Sequence, residues 1–100
     1  MRIHFSPQRH DDYIIYAFEP DKVLVKIETK IDVFDFSELQ EGDEVARREE
    51  TGRLEIETTL PMLPILDAKR ENGQIIVTVL QYHGKDAPYE ERFPEPLEVV

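Results

Sequence analysis

Ile65-Leu66-Asp67-Ala68-Lys69-Arg70-Glu71-Asn72-Gly73-Gln74-Ile75-Ile76-Val77-Thr78-Val79-Leu80 is the stretch that decides the fold. A type I′ turn takes positive φ at both central positions, and Asn72-Gly73 is the residue pair that adopts them most readily. The twist of that turn matches two antiparallel strands, so the corner also sets their register. With Glu71 opposite Gln74, the facing pairs become Arg70 with Ile75, Ala68 with Val77, and Leu66 with Val79. Asp67, Lys69 and Thr78 then point to the other face. The apolar face of Leu66, Ala68, Ile75, Val77 and Val79 cannot be kept from water by two strands alone, so the rest of the chain must cover it.

Composition sets the frame around that hairpin. With 100 residues, 40% of them hydrophobic, the chain can build one core, and a single domain spanning 1–100 is expected. Cysteine is absent, which excludes disulfides, a thiolate zinc site and a cysteine nucleophile, and suits a reducing compartment. The formal charge of -10 repels phosphate backbones and anionic lipid, arguing against nucleic acid or membrane as a direct partner. Its plainest reading is a solvated surface that keeps a small β protein from pairing edge to edge. Met1 to Arg9 holds no apolar signal region and no apolar run reaches membrane-spanning length, so a soluble chain with neither a membrane span nor a secretory signal is expected.

Outward from the hairpin, the pattern is mostly short strands. Arg2 to Phe5 reads as a first strand with Ile3 and Phe5 inward, ended by Ser6-Pro7, with Gln8 to Asp12 as a polar loop. Tyr13 to Phe18 is apolar on both faces, which places it inside a sheet rather than at an edge. Glu19-Pro20-Asp21-Lys22 is a turn, because proline presets φ and aspartate bonds to nearby amides. Val23, Val25 and Ile27 alternate against Leu24, Lys26 and Glu28, so Val23 to Thr29 is a half-buried strand paired with the one before it. Phe34 and Phe36 are read as core plugs within Ile31 to Leu39. Asp43 to Glu50 fits either an edge strand, which is favoured, or a short capped helix. Arg53 to Thr59 alternates again, with Leu54 and Ile56 inward, before Pro61 and Pro64 break the chain. Pro88, Pro94 and Pro96 mark 88–100 as an extended arm.

Chemistry-bearing constellations are sparse. His4, His10, Asp11 and Asp12 are metal-ligating residue types, but their spacing fits no ligand motif. Ser6 and Ser37, the only serines, sit in no nucleophile elbow. The adjacent carboxylates Asp11-Asp12, Glu49-Glu50 and Glu90-Glu91 point to opposite faces when extended and cannot converge on one substrate. Isolated glycines cradle no phosphate. These features predict no catalytic residue, metal site or cofactor. The better signal is aromatic: Tyr13, Tyr16, Tyr82, Tyr89 and Phe93 are candidates for an exposed patch, and Tyr82, Tyr89, Phe93 and Leu97, in the last loop and arm, are the candidate partner-binding residues, with packing of the arm on its own sheet as the alternative.

Met1 to Asp12, the segment Phe34-Asp35-Phe36-Ser37-Glu38-Leu39-Gln40-Glu41-Gly42, the Asn72-Gly73 hairpin, and His83 to Leu97 occur in an order that resembles a family of small proteins encoded in tail-gene regions of bacterial prophages. The resemblance implies a non-enzymatic, tail-associated or assembly-accessory protein, at work in a bacterial cytoplasm or on the virion, whose partner is another phage protein or a second copy of itself. That family usually reaches its Phe-Asp-Phe-Ser segment through a tight Asn-Gly turn, whereas Glu28 to Asp32 stand here, which predicts a hairpin that is looser or differently paired. The segment Asp43 to Thr59 is also more charged than the family pattern. Acidity alone suggests a different role, a nucleic-acid mimic occupying a host DNA-binding protein, and the His4, His10, Asp12 group a third, a small metal-dependent enzyme. The expected fold is mainly β: a single antiparallel sheet or small β-sandwich of about six to eight short strands with at most one short helix.

Overall fold

The computed structural model of the chain describes residues 1–10, 13–46, 58–85, 87–89 and 94–100. Within them lie β1 (Arg2–Arg9), β2 (Ile14–Phe18), β3 (Lys22–Ile27), β4 (Lys30–Asp35), β5 (Glu44–Ala46), β6 (Ile65–Glu71), β7 (Gln74–His83) and β8 (Leu97–Glu98). The fold is mainly β and is built from two sheets, one of five strands in the order β5-β6-β7-β1-β8 and one of three in the order β2-β3-β4. Ile3, Ile65, Ala68, Val77 and Val79 of the larger sheet meet Val23, Val25, Ile27, Phe34 and Phe36 in one buried cluster. The alternation of Val23, Val25 and Ile27 and the two phenylalanine plugs therefore face inward as their spacing predicts.

The central hairpin forms with Asn72 at φ 53° and Gly73 at φ 77°. Its register runs as expected through Glu71 with Gln74, Arg70 with Ile75 and Ala68 with Val77, but Leu66 does not face Val79. A bulge between Ile65 and Asp67 places Ile65 opposite Val79, fully buried, and leaves Leu66 half-buried. The extra residue lets the strand switch its inward side chain without losing the pairs nearer the turn.

β1 is longer than its proline suggests and runs parallel to β7, from Arg2 beside Ile76 to Arg9 beside His83, so the larger sheet is mixed rather than antiparallel. Alternation of apolar residues marks a strand but carries no information about its direction. The backbone shows why Pro7 is tolerated. His10 N–H donates to His83 O at 3.0 Å, while Met1 exchanges hydrogen bonds with Val99 on the opposite side. Backbone groups alternate sides along a strand, so even-numbered residues bond to β7 and Pro7, sharing parity with Met1, turns its missing donor away from that ladder. Gln8 and Arg9 consequently belong to the strand, not to a loop.

β2, β3 and β4 form a meander in which β2 pairs with β3 as expected, with Ile14 opposite Ile27 and Phe18 opposite Val23. The turn at Pro20-Asp21 is closed by Glu19 N–H to Lys22 O at 3.0 Å and Lys22 N–H to Glu19 O at 3.4 Å. β2 is nonetheless an edge strand, and its second apolar face looks outward rather than into a sheet interior. The β3–β4 connection is tight, not loose: Ile27 faces Lys30, and the corner is taken by Glu28 at φ 57° with Thr29.

Glu44 to Ala46 is strand, pairing antiparallel with Asp67 to Lys69, which resolves the first part of the ambiguous Asp43 to Glu50 segment. In the arm, Leu97 and Glu98 pair with Ile3 and Arg2. Asp11, Asp12, residues 47–57, which include Leu54 and Ile56, and Asp86 and 90–93 lie outside the described residues.

Candidate functional site

Among the described residues, four of the exposed large hydrophobic side chains lie together on the outward face of the three-stranded sheet or beside it. The β2–β3–β4 registers align Ile15, Lys26 and Ile31 in one row and Ala17, Leu24 and Val33 in the next. Inward positions on the same strands fill the core, so these two rows point to solvent. Tyr13 is 83% exposed, Ile15 59%, Ile31 63% and Val33 49%. Tyr13, Ile15, Lys26 and Glu28 line a shallow depression of about 330 Å³ at one corner. Contiguous apolar exposure with one lysine at its centre is a composition also found at protein–protein contact surfaces. The doubly apolar run Tyr13 to Phe18 was the available signal; an interior strand and an edge strand with one apolar face exposed read alike in sequence.

The aromatic candidates from the end of the chain are placed apart. Tyr82 lies beside Gln8 in the β1–β7 pairing, and its ring stacks on His10 with centroids 4.4 Å apart and planes 19° off parallel. Leu97, 42% exposed, pairs with Ile3 near the other end of β1. Ile3 and Gln8 are five positions apart, about 16 Å along an extended strand, so Tyr82 and Leu97 do not form one patch. Tyr89 is 67% exposed and Phe93 lies outside the described residues.

His4 and His10 share the β1 segment six positions apart, about 20 Å along an extended strand, too far to hold one ion. Among the described residues no group of three or more metal-ligating side chains comes together. Tyr16 is the most perturbed titratable group: burial, and then Tyr82, push its phenol well above its ordinary value. Its hydroxyl donates to Leu80 O and its ring stacks on Phe18 at 5.5 Å, so it bridges the two sheets.

Four described carboxylates accept hydrogen bonds from the chain's own backbone amides. Glu41 accepts from Asn72 N–H and Gly73 N–H, at 2.5 and 3.2 Å, filling the small anion-binding concavity that consecutive positive-φ residues create. Asp35 accepts from Ser37 N–H at 2.9 Å and Asp43 from Gln40 N–H at 3.0 Å. Asp32 accepts from Val33 N–H at 2.8 Å, Thr58 hydroxyl at 2.8 Å and Thr59 N–H at 3.2 Å.

No protein family, curated protein or solved structure matches the chain. Among the described residues no helix is long and apolar enough to cross a membrane.

Proposed function

We propose that the chain is a non-enzymatic protein-binding module, a minor structural or assembly-accessory component of the phage-tail kind, and that it engages another phage protein through the outward face of β2, β3 and β4. One observation carries this reading: Tyr13, Ile15, Ile31 and Val33 stand together in solvent around Lys26 on one face of the three-stranded sheet. Burying such a face supplies the hydrophobic gain that association needs, and Lys26 offers an acidic group on the partner a contact at its centre. The resemblance of Met1 to Asp12, Phe34 to Gly42 and His83 to Leu97 to prophage tail-region proteins supplies the class of partner, and with it a bacterial cytoplasm or virion as the place of action.

Co-purification with each protein encoded beside it tests the reading. A partner is expected to be retained by the wild type and lost by Ile31→Lys and Val33→Lys, both folded by circular dichroism. Binding to none of those proteins, or binding that both substitutions leave intact, overturns it.

A further inference from the structure

We infer that two copies of the chain join through β2, antiparallel and about a twofold axis at Tyr16, into one continuous six-stranded sheet. The starting point is where the backbone groups of β2 point. Glu19 and Lys22 form a reciprocally hydrogen-bonded pair at the turn. Such pairs alternate along an antiparallel ladder, so Ala17 with Leu24 and Ile15 with Lys26 bond across it, and Ile14, Tyr16 and Phe18 direct their N–H and C=O groups outward. Among the described residues no backbone hydrogen bond reaches those outward groups.

The other sheet edges are guarded. On β4, the same alternation turns Val33 N–H outward, and Asp32 caps it while also holding Thr58 and Thr59. β4 further carries Lys30 and Asp35. β8 is two residues long, follows Pro94 and Pro96, and ties Glu98 to Arg2 at 3.3 Å. β5 spans three residues and begins at Glu44. Short, charged or capped edges are how sheets avoid pairing with other chains. β2, Ile14-Ile15-Tyr16-Ala17-Phe18, is the edge strand with no charged residue, no proline and no cap.

The occupant follows from self-complementarity. A twofold interface sets each residue against its counterpart in the mirror-ordered strand, so an edge carrying charge would repel itself. Centred on Tyr16, the pairing sets Ile14 opposite Phe18 and Ile15 opposite Ala17, large against small, with no charge facing charge. The outward groups of Ile14, Tyr16 and Phe18 then meet in register and form about six hydrogen bonds. β2 itself carries no charged residue by which a foreign strand would be selected. The pairing also joins the two outward apolar faces side by side, and it stands whether or not that face binds another protein.

Light scattering on the eluting protein is expected to give a dimer whose fraction rises with concentration and with salt, because screening relieves the repulsion between two chains of charge -10. In hydrogen exchange, the amides of Ile14, Tyr16 and Phe18 slow as concentration rises. Ile15→Lys sets two lysines diagonally across the axis and yields monomer with an unchanged circular dichroism spectrum, whereas Val33→Lys, remote from the edge, leaves the dimer. A monomer at every concentration and salt overturns the inference, as does a dimer whose β2 amides exchange freely or one that Val33→Lys abolishes as fully as Ile15→Lys. The last result transfers the interface to the sheet face and leaves the protein-binding reading in place.

Discussion

Two of the hairpins with two-residue corners, β6–β7 and β3–β4, hold a residue at positive φ for opposite reasons. At Asn72-Gly73 the corner residues adopt positive φ at little cost, and Glu41, from a distant loop, then reinforces them by accepting both amides. At Glu28-Thr29 the corner residues have no such preference, yet Glu28 sits at φ 57°. The flanking pairs impose it: Ile27 points into the core and Ile31 outward, an alternation that needs a connection with an even number of residues, and the shortest one, two residues, sets Ile27 opposite Lys30. One hairpin is written into its turn, the other is forced by what its strands bury.

This contrast can be broken by substitution. The largest effect is expected in β6, where Ile65→Ala leaves a cavity in the fully buried cluster and should cost about 2–5 kcal/mol in denaturant unfolding. Leu66→Ala, the residue that regular pairing would have buried, should cost clearly less; equal losses would contradict the bulge. Glu41→Ala should cost about 1 kcal/mol by orphaning the corner amides, although water reaches them. An unchanged midpoint would mean that Asn72-Gly73 needs no reinforcement.

At the forced corner the sign reverses. Glu28→Asn should stabilise by about 0.5–1 kcal/mol, because asparagine tolerates the left-handed region that glutamate resists. The smallest effect is electrostatic. Burial alone would raise the Asp32 carboxyl, but the hydrogen bonds from Thr58, Val33 and Thr59 outweigh it and hold the group below its ordinary value. Its contribution is therefore complete above the unfolded value, about 4, and is lost as pH falls through the lower folded one. Thermal unfolding followed through that range should show a shallower acid loss for Asp32→Asn than for the wild type.

Particular residues mark how far the sequence could be read. The β class, the Asn72-Gly73 corner, the pairing of β2 with β3, and the burial of Val23, Val25, Phe34 and Phe36 follow from period-two alternation and turn chemistry, which act within a few residues. The extension of β1 through Pro7 was hidden because proline's cost depends on which side of the strand its nitrogen faces, and that is set by neighbours far along the chain. The candidate surface could not be told from a core strand, since Ile15 is as apolar as the core residues and only its exposure in the fold distinguishes it.

The sequence by itself determined that this chain makes strands, where its tightest corner falls and which side chains seek the interior, because propensity and alternation are local. Tertiary structure alone decided that β1 lies parallel to β7, that Ile65 displaces Leu66, and that β2 stands at an edge with one apolar face uncovered. Those outcomes depend on which strands become neighbours, a choice made by the shared burial of two sheets and invisible to any single segment.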